Sequence, residues 1–175
     1  MADITFNTPV GDIKRELLIC YLNTGTAAAP VWSAIGKKVS DSAVSYDWGK
    51  ETSQDILGNT WTTLKTPTKT QDFDPVHLDS GDAAVVKIWN LAVKDEDIAA
   101  LAAQDMLIAH FYAGSASAAW AERYTGCAIE VSQVGGEGGG ILESGFSVTY
   151  GGTRTLGTVA KGTDGTVTFT PDSSN

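Results

Sequence analysis

Alternation dominates the middle of the chain. From Val44 onward Val44, Tyr46 and Trp48 point one way, while Ser45, Asp47, Glu51, Ser53 and Asp55 point the other, the two-residue period of a half-buried strand. The return arm carries Thr60, Thr62, Thr63, Thr66, Thr68 and Thr70 with Trp61, Leu64 and Phe73 among them, and β-branched and aromatic side chains suit a pleated surface. Gly58-Asn59 marks the turn between the arms. Pro67 has no amide to give to a ladder, so the return arm lies at an edge or is bulged there. Residues 44–74 therefore read as a long hairpin, each arm on the order of ten residues against about 5–6 in an ordinary strand. Two outcomes fit: a neighbouring copy closes the open edges, or the segment is a surface loop folded back on its own sheet.

Beyond the hairpin the pattern predicts strands at about 15–23 and 31–35, then a helix over 79–93. Asp79 or Ser80 can accept from the first-turn amides, and Val85, Ile88, Trp89 and Ala92 recur at helical spacing to form the face laid on a sheet. Gln104 opens a strand apolar on both sides, as a central strand is. Trp120 to Val134 and Ile141 to Tyr150 follow, joined by Gly135-Gly136-Glu137-Gly138-Gly139-Gly140, and then Thr153 to Lys161 and Thr166 to Thr170. Such a succession predicts a mainly β chain, a sandwich or barrel of roughly nine strands with one flanking helix. We expect a single domain over residues 1–175, with a mobile N-terminal arm at 1–14 that orders on a partner and a C-terminal segment at 162–175.

Composition narrows the function. Twelve basic against twenty-one acidic side chains give a formal net charge of −9, which disfavours tight binding to nucleic acid because phosphate contacts need clustered Lys and Arg. A surface past which nucleic acid slides stays compatible with that charge. Cys20 and Cys127 lack metal-ligand or redox spacing, and Cys20 sits in the apolar run 17–22, so both read as buried free thiols. No stretch has the length to cross a bilayer and the start of the chain has no signal core, which predicts a product made in the cytoplasm.

Little points to catalysis. The glycine run lacks the Gly-Lys-Ser/Thr ending of a phosphate loop, Ile141 stands where a dinucleotide fingerprint needs glycine, and no helix follows to receive a phosphate. His110 lies inside an apolar strand and reads as a core residue; His77, after Asp74-Pro75, reads as part of a turn. Asp95-Glu96-Asp97 lacks the alternating ligands and glycine of a calcium loop. No serine or cysteine has the surroundings of a nucleophile, so neither enzyme activity nor a cofactor or metal is expected.

Several segments taken in order carry a resemblance: Leu22-Asn23-Thr24-Gly25, Trp32-Ser33-Ala34-Ile35-Gly36-Lys37, Tyr46-Asp47-Trp48, Lys50-Glu51-Thr52, Asp55-Ile56-Leu57-Gly58-Asn59-Thr60, Gly81-Asp82-Ala83-Ala84, Gly136-Glu137-Gly138-Gly139-Gly140 and Val148-Thr149-Tyr150-Gly151-Gly152. Together, from about Leu17 to Lys161, they resemble the major tail tube proteins of long-tailed, siphophage-like bacteriophages. The resemblance implies a β-sandwich or barrel of the tail tube type with a protruding hairpin, assembled as hexameric rings stacked into a hollow tube within the virion. DNA and a tape measure protein would pass through its lumen, with tail tip and terminator proteins at the ends and no membrane insertion by this chain. Asp47, Glu51 and Asp55 are then the expected lumen-facing residues, since acidic side chains repel phosphate. Trp48, Ile56, Leu57 and Trp61 are the expected hairpin contacts between subunits. The competing readings are a tail terminator or decoration protein, which forms a single ring, and a monomeric β-sandwich that stacks tryptophans on carbohydrate.

Overall fold

In the computed structural model, which describes residues 3–172, the chain runs through β1 (Leu18–Asn23), β2 (Trp32–Ile35), β3 (Val44–Asp47), β4 (Glu51–Gln54), β5 (Thr60–Thr63) and β6 (Thr68–His77). It continues through α1 (Ala83–Trp89), α2 (Ile98–Leu101), β7 (Gln104–Ser115), β8 (Ala118–Gly135), β9 (Glu143–Tyr150), β10 (Thr153–Lys161) and β11 (Val167–Pro171). All pairings are antiparallel. The fold is mainly β with one flanking helical segment, as alternation and turn chemistry indicate.

β8 is the organising element. Its 18 residues would extend roughly 60 Å at the usual strand rise, too long for one sheet, and it serves two. Its first part lies between β7 and β10, and its last part, from Ala128, pairs with β9. One layer is thus β2–β1–β7–β8–β10–β11 and the other β8–β9–β6–β3. Glycines make the crossing where the two layers part: a Cβ on Gly152 (φ +69°) would stand 2.6 Å from the Thr125 carbonyl oxygen, and one on Gly126 3.0 Å from Gly152 Cα.

The principal core fills the space between the layers and under α1. Leu22, Met106 and Ile108 from the larger sheet meet Phe73, Ile129, Phe146 and Val148 from the smaller, with Phe73 and Phe146 rings 5.2 Å apart. Each such side chain contributes about 1.5–3 kcal/mol by leaving water. Leu107 and Ala109 on the other face of β7 join Tyr21, Trp32, Ala121 and Val159 in a second cluster, which explains why β7 shows no polar face.

Some expectations change. The helix is capped by Asp82, whose carboxylate accepts from the amides of Ala84 and Val85 at 3.1 and 3.2 Å, and not by Asp79 or Ser80. Asp79 instead holds the preceding turn through the Gly81 amide and pairs with Lys37. Ala84, Val85 and Ile88 form the buried face while Trp89 lies at its margin, 37% exposed, and the helix then widens over Asn90–Lys94, where the Asp95 amide reaches back five residues to Asn90. His77 ends β6 opposite Glu143 rather than lying in a turn, just after a bulge at Asp74-Pro75. Part of the N-terminal arm lies along its own chain: Thr5 and Asn7 bond to Gly114 and Tyr112, and Phe6 meets the Tyr112 ring edge-on. It does so because β7 outruns β1, whose register ends at Leu18 opposite His110. Residues 1–2 of that arm and 173–175 of the C-terminal segment lie outside the described residues. Among the described residues no helix is long and apolar enough to cross a membrane.

Both cysteines are free and buried. Burial pushes the Cys127 thiol up to about 11, and the Cys20 sulfur donates to Gln71 within the core. Native protein should therefore leave both thiols unmodified by Ellman's reagent over an hour, with two equivalents appearing on addition of denaturant. Rapid labelling without denaturant would contradict this packing.

Candidate assembly surfaces

The hairpin is built in two stages. β3 pairs with the start of β6 as part of the smaller sheet, and β4 and β5 form a separate two-stranded ribbon with Glu51 opposite Thr63 and Gln54 opposite Thr60. The ladder breaks between them at Gly49 (φ +49°), whose amide bonds the Asp47 carboxylate, and on the return arm before Thr68, past Pro67. Trp48 and Lys65 are still joined through their main chains, and the Lys65 ammonium pairs with Glu51.

Every residue of the ribbon is exposed. Its tip is nevertheless firmly built, since the Asp55 carboxylate accepts from the amides of Leu57 and Asn59 and from the Asn59 side chain at 2.8–2.9 Å. Those bonds hold its pKa below the ordinary carboxylate range. Ile56 and Leu57 project from this turn, 102% and 82% exposed, and Trp48, Trp61 and Leu64 line the ribbon at about half exposure or more.

The smaller sheet presents the second surface. Phe73, Ile129, Phe146 and Val148 face the core, so the residues between them in register face away: Ser45–Thr70–Thr149–Ala128 in one row, Asp72–Ser147–Glu130 in the next, with Asp47 opposite Thr68 and Asp74 beyond. This face is made of small polar residues and four carboxylates, Asp47, Asp72, Asp74 and Glu130. No Lys or Arg stands on these rows. Asp72 and Glu130 flank one intervening strand, roughly 10 Å apart at the usual spacing.

Both margins of this sheet are open among the described residues. β3 has no neighbour beyond β6, and β8 from Ala128 onward has β9 on one side only. Half of an edge strand's amides and carbonyls point away from its partner and ask for hydrogen bonds. The β8 margin borders a cleft of about 620 Å³ against α2 and the widened helical turn, lined by Val93, Ile98, Leu101, Val131 and Val134.

A buried ionic cluster ties the two layers together behind these surfaces. Glu122 of β8 is 1% exposed and accepts from Lys69 Nζ at 2.6 Å, Arg154 Nε at 2.7 Å and the Tyr124 hydroxyl at 2.8 Å, with His110 Nε2 at 3.2 Å. Burial alone would raise its pKa. The His110 bond and the bond and charge of Lys69, helped by Tyr124, outweigh burial and hold the carboxyl well below its usual range.

Of the residues singled out from sequence, Asp47 lies on the acidic sheet face, while Glu51 and Asp55 belong to the ribbon and its turn. Trp48, Ile56, Leu57 and Trp61 are all exposed on the projecting hairpin, Trp48 at its root stacked on Tyr46 and Ile56 and Leu57 at its tip. Asp72, Asp74 and Glu130 were missed, although the alternation Thr68, Thr70, Asp72 against Lys69, Gln71, Phe73 carries the signal for the first two.

No known protein family matches this sequence, and no curated protein does. Among solved structures, a chain of the extended sheath/tube terminator of the PVC extracellular contractile injection system superposes with a TM-score of 0.50 at 8% identity, covering 83% of this chain and 96% of that one. The two chains share a mainly β fold. The PVC sheath-tube complex gives 0.48 at 9% identity over 85% and 93% of the two chains, and the tube-terminating cap of the anti-feeding prophage 0.48 at 12% over 90% and 96%. At these identities the likeness is one of fold.

Proposed function

We propose that the chain is a non-enzymatic structural subunit of a phage-tail-like tube. Six copies close side by side into a ring by pairing the β3 margin of one with the β8 margin of the next, and the rings stack into a conduit for DNA and a tape measure protein. The observation that carries this reading is the smaller sheet itself. It has two open margins, one beside an apolar cleft, and a face bearing carboxylates without a cation. Edge-to-edge pairing removes both margins at once, and closure of the ring leaves none over.

Turned inward, the acidic face lines the lumen. Asp47, Asp72, Asp74 and Glu130 would repel phosphate within a Debye length of about 8 Å at physiological salt, so DNA slides without adhering. Asp55 carries the same sign toward the rim, while the charge of Glu51 is matched by Lys65. Negative-stain microscopy of the purified protein should show hollow rings or tubes; a compact single particle at high concentration would overturn the reading.

The lumen assignment has its own test. Tubes of Asp72→Lys with Glu130→Lys should assemble and retain double-stranded DNA on pelleting at ~50 mM salt, releasing most of it by ~200 mM. Unaltered tubes should retain little at either salt. Equal retention by the two would place another face in the lumen.

A tube terminator is the second reading, favoured by the PVC terminator match at a TM-score of 0.50. Such a protein forms one ring that does not propagate, so the length of the assemblies separates the two readings.

A further inference from the structure

We propose that the cavity beside the buried ionic cluster, between Arg154 and the aromatic rings of Phe6 and Trp120, is a binding site for a small aromatic carboxylate. The inference is independent of the tube reading. A cavity of about 370 Å³ opens there, lined from both layers, and the N-terminal arm walls it through Ile4 and Phe6. Its size lies within the roughly 300–1,000 Å³ usual for small-molecule sites. Tyr46, Tyr112 and Trp120 continue the aromatic lining, while Lys69, Glu122 and Arg154 supply the charged side.

Three features select this ligand. Two permanent cations, Lys69 and Arg154, meet the single carboxylate of Glu122, which leaves a surplus positive charge in a chain whose net charge is −9. One surplus charge suits a monoanion. Lys69 is already engaged, since its ammonium holds Glu122 and lies over the Tyr46 and Tyr124 rings at 5.0 and 5.4 Å. Arg154 is not. Its side chain is 47% exposed, its Nε meets Glu122 at 2.7 Å, and no second carboxylate pairs with it among the described residues. A guanidinium carries five N–H donors in a planar fork that matches a carboxylate. The second feature is Trp120, whose ring stands 4.5 Å from that of His110 and whose Nε1 is buried with no acceptor among the described residues. A buried donor asks for an oxygen, and a carboxylate in this cavity provides one. Finally, Phe6 and Tyr46 are 63% and 45% exposed, so ring faces at the cavity are free to cover a flat apolar body, which a hydrated inorganic anion lacks.

Isothermal titration calorimetry of the whole chain with benzoate tests it. Binding should be saturable and at least about tenfold tighter than that of acetate, or of sulfate at equal ionic strength. Trp120→Phe keeps a ring and removes the donor, so it should weaken benzoate about fivefold, the worth of one hydrogen bond. Arg154→Gln should weaken it by about thirtyfold or more, with circular dichroism to check the fold. Phe6→Ala removes one wall, leaves the ionic cluster whole, and should also weaken binding. Equal affinity for benzoate, acetate and sulfate would overturn the aromatic carboxylate as the ligand. Benzoate affinity unchanged by both Trp120→Phe and Phe6→Ala would overturn the site.

Discussion

Copies carrying Val93→Glu with Ile98→Glu should remain single folded chains of 18.3 kDa at concentrations where the unaltered protein closes into rings. Both positions are exposed, at 41% and 80%, so the substitutions leave the subunit's own packing in place. They put two carboxylates into the cleft beside the open β8 margin, where an incoming strand would strip their water. An unpaired buried charge costs several kcal/mol, and each 1.4 kcal/mol is tenfold in association, so ring formation should weaken by about a thousandfold or more. Sedimentation velocity reads the oligomer and circular dichroism confirms the fold. Rings of ordinary stability from this variant would show that subunits join elsewhere.

Glu122→Gln should be the most destabilising isosteric change in the chain. It leaves Lys69, whose side chain is 9% exposed, without its counter-charge, and breaking a buried pair from one side costs about 3–5 kcal/mol. For a domain of this size each kcal/mol shifts Tm by roughly 2–4 °C, so the midpoint should fall by about 6–20 °C. Adding Lys69→Met should recover part of that loss if the two residues act as a pair. The cluster also sets the acid response. Glu122 is held charged in the folded chain below the pH at which a free carboxylate protonates. Its contribution is therefore present in full above the usual carboxylate range and drains away as pH falls from there toward the depressed folded value. Thermal melts at a series of acid pH values should show the Glu122→Gln deficit shrinking as pH drops; a deficit independent of pH would assign the loss to shape rather than charge.

The hairpin was legible because each stretch of it alternates, and alternation survives whether or not the strands pair in one sheet. The break was not. Gly49 and Pro67 are visible as residues, but whether the ladder resumes beyond them depends on the start of β6 meeting β9, a pairing between distant parts of the chain. Helix phase misled at Trp89, since a face built on Ala84, Val85 and Ile88 shares most of its spacing with one that includes the tryptophan. The acidic face was half readable: Asp72 and Asp74 announce themselves within β6, whereas Glu130 joins them only through the register of β9. Glu122 was invisible, occupying a core-facing position between Trp120 and Tyr124 where pattern alone predicts an apolar residue. Its partners come from β6, β7 and β10, and only the assembled layers bring them within reach.

The ribbon's attachment has a mechanical consequence. It meets the body of the subunit only at a left-handed glycine and at a strand interrupted before a proline, and it shares no sheet with that body. Anything gripped by its far end is held on a compliant coupling rather than a rigid bracket. In a tube of the kind proposed, such couplings would let successive rings pivot against one another while each ring keeps its own shape.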